Sequence, residues 1–312
     1  MRISVLVPSY KRPDLLIKCL GALEKQRRMP DEIVIVMRDT DLPSQAAFSS
    51  YRRQTRLPLV QALVSRPGQM AAMNTGLDLV TGEIVCFTDD DAEPFPDWVE
   101  RIESRFQADP GLGALGGRDH VHVDGVLQPT MMVTTVGKLH WYGRTRGNHS
   151  QDSIGFRETD CLKGVNLSVR TALQQRFDER FRGDAAQNEV AFCLAIRNKG
   201  MKIMYDPEIR VNHFLGARQY GSGRTGLTPE RLFNNSFNHV LARVPYLPGW
   251  KKSIYLAYTV LVGETDTPGL LKAVLLSRGH PSRTFDILSP SLRGKFEAIR
   301  TSRTGSRPGP RA

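Results

Sequence analysis

The chain has 312 residues, 40% hydrophobic and 24% charged, a composition that excludes a disordered, collagen-like or polytopic membrane protein and allows one large or two modest domains with a substantial core. Its 43 Lys and Arg against 32 Asp and Glu leave a formal charge of +11, which favours an anionic partner, whether nucleotide, nucleic acid or lipid head group. Cys19, Cys86, Cys161 and Cys193 form no C-x-x-C pair, so zinc ribbons and dithiol redox motifs are excluded and buried thiols in a reducing compartment are expected.

The first apolar run, Ile3 to Val7, follows Met1-Arg2 and stops at Pro8. It is too short for the core of a signal peptide and reads as a first strand of a cytosolic protein. A helix is predicted from about Pro13 to Lys25, a strand over Glu32 to Val36, a helix from about Met70 to Val80 and a strand over Ile84 to Phe87. The runs Ile33-Val34-Ile35-Val36 and Ile84-Val85-Cys86-Phe87 show no polar alternation, as expected for strands covered on both faces of a parallel sheet. Ligands of such sheets sit beyond the carboxyl ends of the strands, which draws attention to Pro8 to Arg12, Met37 to Asp41 and Thr88 to Asp91.

Gly111 to Gly116 matches G-x-G-x-x-G literally, but it follows a helical pattern over Trp98 to Ala108 and runs into strand-like residues. It reads as a turn plus a Gly-rich strand, not as a dinucleotide fingerprint. From Leu112 short strands and turns are expected, then a polar, Gly-containing stretch from Tyr142 to Phe156, of the kind that covers or selects a substrate. A second motif-bearing block spans Cys161 to His213, residues 226–277 read as helical and appended, and residues 278–312 read as a basic tail, disordered after about 300. The most apolar stretch, Ile254 to Gly263, is about half the twenty residues a membrane-spanning helix needs.

Chemistry concentrates at Thr88-Asp89-Asp90-Asp91. In an extended segment Asp89 and Asp91 point to one side and Asp90 to the other. Two convergent carboxylates suit Mg²⁺ or Mn²⁺, which binds through one or two carboxylates plus substrate phosphates; a solvent-facing acidic turn is the alternative.

Several ordered motifs bear on that choice. They are Val5-Leu6-Val7-Pro8-Ser9-Tyr10-Lys11-Arg12-Pro13; Gly68 to Gly76 with Asn74 inside; Thr81-Gly82-Glu83 leading to Phe87 to Asp91; and Pro94, Pro96 and Trp98. Lys163 to Arg170, Phe177-Asp178-Glu179-Arg180-Phe181, Asn188-Glu189 and Tyr205-Asp206-Pro207-Glu208 through to His213 follow. Together, over about two thirds of the chain, they resemble a family 2 glycosyltransferase. The resemblance implies a GT-A-like, Rossmann-type α/β domain over residues 1–225, with a central mixed sheet flanked by helices. A C-terminal helical extension (226–277) and a partly disordered basic tail (278–312) would complete the chain.

The same resemblance implies an inverting transfer from a nucleotide-sugar donor to a glycan or lipid-linked acceptor. Asp89 and Asp91 would hold Mg²⁺ or Mn²⁺ with His213 as a further ligand, Glu189 would be the base, and Pro8, Tyr10, Arg12, Asp39, Asn74, Asp89 and Asp90 would bind the donor. Three positions depart from the family pattern: Glu189 stands where Asp is usual, Met37-Arg38 where acidic residues are usual, and Met73 where Arg often precedes the Asn. Asp39 or Asp41 would replace the missing acids, or Arg38 would meet phosphate, and the donor nucleotide stays open. Trp141 and Tyr142 are candidates for stacking on a sugar ring.

Two other functions compete. A sugar nucleotidyltransferase needs a Gly-rich loop after the first strand, and Pro8 to Arg12 has no Gly. A basic nucleic-acid binder needs basic and aromatic residues together, and the tail offers only Phe285 and Phe296, so no nucleic acid is expected. The location expected is cytoplasmic, with a peripheral contact at the inner membrane face through residues 278–312, whose eight Lys/Arg against Asp286 and Glu297 suit an anionic leaflet.

Overall fold

The computed structural model describes residues 1–215 and 227–304. Strands β1 (Ile3–Ser9), β2 (Glu32–Arg38), β3 (Leu59–Val64) and β4 (Ile84–Phe87) lie parallel in the order β4-β1-β2-β3. Because successive side chains point to opposite faces, each strand feeds two cores. Leu6, Val34, Val36, Val85 and Phe87 enter one, while Val5, Val7, Ile33, Ile35, Ile84 and Cys86 enter the other.

Helices α1 (Pro13–Leu23), α2 (Leu42–Arg52) and α4 (Trp98–Ala108) cover the second face with Leu16, Leu20, Phe48, Trp98 and Phe106. Helix α3 (Gln69–Leu77) covers the first face with Met70, Ala71 and Met73. Neither α2 nor β3 is anticipated by the sequence reading. Helix α2 buries only Ser44 and Phe48, and β3 is an edge strand with Leu63 exposed, so neither carries a strong periodic signal.

Strand β5 (Ala92–Pro94) follows the acidic turn, and the sheet then continues through one long strand, β6 (Leu112–Val123), where short pieces are expected from sequence. A Cβ at Gly116 would lie 2.5 Å from Leu162 Cδ2. The glycine of the false fingerprint therefore serves close packing. After β7 (Val126–Leu127) come the hairpin β8 (Lys138–Leu139) and β9 (Thr145–Arg146), then β10 (Arg157–Glu158), β11 (Leu167–Arg170), helix α5 (Asn188–Asn198) and β12 (Lys202–Leu215). The sheet order is β10-β12-β6-β11-β4-β1-β2-β3, with β11 antiparallel to both neighbours, which makes the sheet mixed. All four cysteines are buried free thiols.

Beyond residue 226 stand α6 (Pro229–Leu241), α7 (Gly249–Leu261), α8 (Leu270–Leu276) and α9 (Pro281–Thr304). The extension is helical as expected, yet Phe237, Val240, Tyr255 and Ala298 belong to the same apolar core as Phe87 and Phe192. The loose tail needs correction: Pro281–Thr304 is one helix, packed on α6. It buries Lys295, whose Nζ donates to the carbonyls of Thr259 (2.7 Å), Thr267 (3.1 Å) and Pro268 (2.7 Å). The expected boundary at residue 225 and the end of the tail after 304 lie outside the described residues. No helix among the described residues is long and apolar enough to cross a membrane.

Candidate active site

The loops after β1 and β4 meet at the carboxyl edge of the sheet and line one cavity of about 710 Å³. Strand β5 pairs with β12 so that His213 stands opposite Ala92, and the Phe214 amide donates to the Asp91 carbonyl at 2.8 Å. This pairing carries His213 to the acidic turn. Ligand atoms of Asp89, Asp91 and His213 lie within 4.8 Å of one another, the metal-type cluster found among the described residues.

His213 sits between two carboxylates, with Nε2 3.4 Å from Asp91 Oδ1 and Nδ1 3.4 Å from Asp119 Oδ2. Asp119 lies on β6, is fully buried, and also pairs with Lys163. Against the pull of burial, His213 and Lys163 hold Asp119 down to about 2. Burial opposes the charged imidazole too, yet Asp119 and Asp91 raise His213 to about 9. Burial and the neighbouring Asp91 push Asp89 up to about 7, whereas His213 and Arg12 overcome burial to keep Asp91 below its ordinary value.

Asp90 turns the other way, accepting from Ser9 Oγ at 2.8 Å and from Arg12 Nη1 at 3.2 Å. Burial pushes it up to about 6 although Arg12 opposes. Arg12 also reaches Asp91 Oδ2 at 2.9 Å, so one guanidinium ties both carboxylates to the β1 loop. Pro8 and Tyr10 line the cavity beside it.

Glu189, in the first turn of α5, lines the same cavity. A Cβ on Gly164 would lie 3.2 Å from Glu189 Oε1. The bare glycine thus leaves room for this carboxylate at the cavity.

Two expected donor residues are corrected. Asn74 does not line the cavity: its amide exchanges two hydrogen bonds of 2.9 Å with the Phe177 backbone and donates to Glu179, which consumes it structurally. Asp39 is also absent from the wall, which Arg38 occupies instead. Asp41 caps α2 and accepts from the Lys11 amide at 2.5 Å. Trp141 is exposed, and Tyr142 packs edge-on against Tyr258 of α7 at 4.8 Å.

Sequence reasoning missed Asp119 and Arg243. The first is an acid inside a long strand, preceded by Leu112-Gly113-Ala114-Leu115-Gly116-Gly117 and flanked by Arg118 and His120, and an acid in a buried strand is a usable signal. Arg243, just past α6, is fully buried. Its Nε donates to the Gly143 carbonyl at 2.6 Å, Nη1 to the His239 carbonyl at 2.9 Å, and Nη2 to Gln187 Oε1 at 2.8 Å and to Thr145 Oγ1.

The profile of Glycosyl transferase family 2 matches residues 4–171, more than half of the chain. The amylovoran biosynthesis glycosyltransferase AmsB of Erwinia amylovora is 24% identical over 229 residues, 72% of each chain. Among solved structures, the mannosyltransferase PcManGT from Pyrobaculum calidifontis in complex with GDP-Man and Mn²⁺ superposes with a TM-score of 0.59 at 18% identity, covering 96% of this chain and 87% of that one. S. aureus TarS 1-349 in complex with UDP gives 0.60 at 16% identity, covering 97% and 90%. At these identities the two structures show the GT-A type of fold.

Proposed function

The chain belongs to glycosyl transferase family 2 and is a glycosyltransferase; from that premise we propose a metal-dependent, inverting transfer of a sugar from a nucleoside-diphosphate sugar to a hydroxyl of a glycan or lipid-linked glycan, in polysaccharide or glycolipid synthesis. The observation that carries this reading is the placement of Asp89, Asp91 and His213 on one cavity with Glu189. The role in polysaccharide synthesis draws on the likeness to AmsB.

The donor set fits a divalent cation. Asp91 Oδ1 is buried and makes no hydrogen bond, and two carboxylates with one imidazole suit Mn²⁺ or Mg²⁺. Bound there by Asp89, Asp91 and His213, the ion would neutralise negative charge on the departing diphosphate. Asp119 and Lys163 act behind His213: the carboxylate accepts from Nδ1 and so presents Nε2 to the cluster. Arg12 fixes the acidic turn through Asp90 and Asp91, and Arg38 on the wall supplies positive charge for a phosphate. Glu189 accepts the proton of the acceptor hydroxyl as that oxygen attacks the anomeric carbon from the side opposite the diphosphate. The protein would act in the cytoplasm, in peripheral contact with an anionic leaflet that presents a lipid-linked acceptor.

Glu189→Gln tests the assignment. Transfer should fall about 10²- to 10⁴-fold while metal-dependent donor binding persists, measured by calorimetry with UDP-, GDP- and dTDP-sugars with and without chelator. The product anomer, read by NMR, tests inversion. Full transfer by the variant would remove Glu189 as the base.

A further inference from the structure

Large exposed apolar side chains gather on the C-terminal helices. On α7 the outward stripe is Trp250, Ser253, Ala257 and Leu261, at i, i+3, i+7 and i+11, one face of a helix without a charge on it. Trp250 is 61% exposed. After the exposed Val262 the chain closes a short turn on an antiparallel bridge, Gly263 to Pro268, with Thr265 and Asp266 exposed at its tip, and then enters α8. There Ala273 faces inward while Leu270, Leu271 (57%), Val274 and Leu275 (72%) face out. A soluble surface rarely leaves so many large apolar groups together without a partner.

Charge identifies that partner. Helices open favourably with acids, because their amino ends carry partial positive charge. Asp14, Glu100, Glu189 and Glu230 follow this rule in α1, α4, α5 and α6. Helix α7 instead opens with Lys251 and Lys252, α9 opens with Arg283, and neither has an acid in its first turn. Lys251 lies over the Trp250 ring at 5.3 Å, and Lys272 and the exposed Arg278 border the α8 leucines. Helices α2, α3 and α8 also open without an acid; α7 and α9 add cations there, which oppose their own helix dipoles and would be favoured beside anionic head groups. A second copy of the chain docked face to face would set the same cations against each other.

We propose that α7 and α8 form a docking surface for an anionic lipid bilayer: Trp250, Leu261 and the four outward side chains of α8 enter the head-group boundary, and Lys251, Lys272, Arg278 and Arg283 hold lipid phosphates. This moves the membrane contact from a loose basic tail to an ordered apolar face with a basic rim. It rests on the transferase reading only for its purpose, a lipid-linked acceptor.

The test is co-sedimentation of the full chain with neutral vesicles and with vesicles of about 30% anionic lipid, at about 0.1 M and 1 M salt. The wild type should bind anionic vesicles, more weakly at high salt. Leu271→Glu with Leu275→Glu should weaken binding about tenfold or more, and Lys251→Glu with Lys272→Glu should reduce its salt dependence, while deleting residues 305–312 changes little. Leu271 and Leu275 are exposed and the lysines are half-buried, so thermal melting with metal-dependent donor binding, measured without vesicles, reports separately on fold and transferase site. Equal vesicle binding by the leucine variant would overturn the proposal, as would a wild type that ignores vesicles. A wild-type dimer that the leucine variant splits would assign the face to a second copy and overturn it too.

Discussion

Replacing Asp119 by Asn probes a residue that touches no substrate. The change keeps volume and an oxygen facing His213 Nδ1, now 3.4 Å away, but removes the charge that raises the imidazole and that Lys163 pairs with. Lys163 is 38% exposed and turns to solvent, so folding should survive. Loss of such an orienting carboxylate typically weakens metal binding 10- to 100-fold, about 1.4 to 2.7 kcal/mol. The effect depends on pH in a defined direction. In the wild type His213 is held up to about 9, so metal must displace a proton and apparent affinity climbs with pH until about 9. Without Asp119 the imidazole gives up its proton earlier, and the variant's affinity levels off at lower pH. The gap between the two should therefore be widest near pH 9, where only ligand strength counts. Calorimetry with MnCl₂ and a nucleoside diphosphate, at steps from pH 6 to 9, measures this. Equal Mn²⁺ affinity at pH 9, in a variant that melts like the wild type, would refute the orienting role.

Asn74→Ala should leave donor KM unchanged and cost about 2 to 3 kcal/mol, because it orphans the Phe177 backbone N–H and C=O; urea unfolding and donor titration separate the two, and a raised donor KM with intact stability would restore Asn74 to the donor site. Burial pushes Lys295 down to about 7 from its ordinary 10.5, so between those values the unfolded chain keeps a proton that the folded chain has shed, and stability from this group grows as pH rises. A shift of that size is worth at most about 5 kcal/mol, and the three carbonyls that favour the ammonium reduce it. Relative to Lys295→Met, the wild type should gain about 2 kcal/mol between pH 7 and 10, read from urea midpoints; parallel pH curves would count against a depressed Lys295.

Much of the catalytic half is legible because its signals are local. Uninterrupted apolar runs mark β1, β2 and β4, and the acidic turn at the end of β4 points to a cation site. His213 is legible from motif order alone; the pairing of β5 with β12 that brings it to Asp91 is a long-range event with no local trace. Asn74 is misplaced for a related reason. It lies in a familiar stretch, but on α3 it turns to the Phe177 segment, a direction set by packing. Helix α9 escapes notice because, after Ile287, the face it turns inward is small and polar: Ser291, Gly294, Lys295 and Ala298 are buried at helical spacing, and a search for apolar periodicity passes over such a stripe.

Arg243 carries a consequence for how this chain can be cut and recombined. One guanidinium from the end of α6 ties the hairpin residues Gly143 and Thr145 to Gln187, two positions before Glu189. The extension, the hairpin and the start of α5 are thus a single inheritance unit, though far apart in sequence. A chimaera that exchanges residues 227–304 for those of a relative must bring matching partners at 143, 145 and 187. Otherwise it buries a guanidinium short of acceptors and loosens the helix start that presents Glu189.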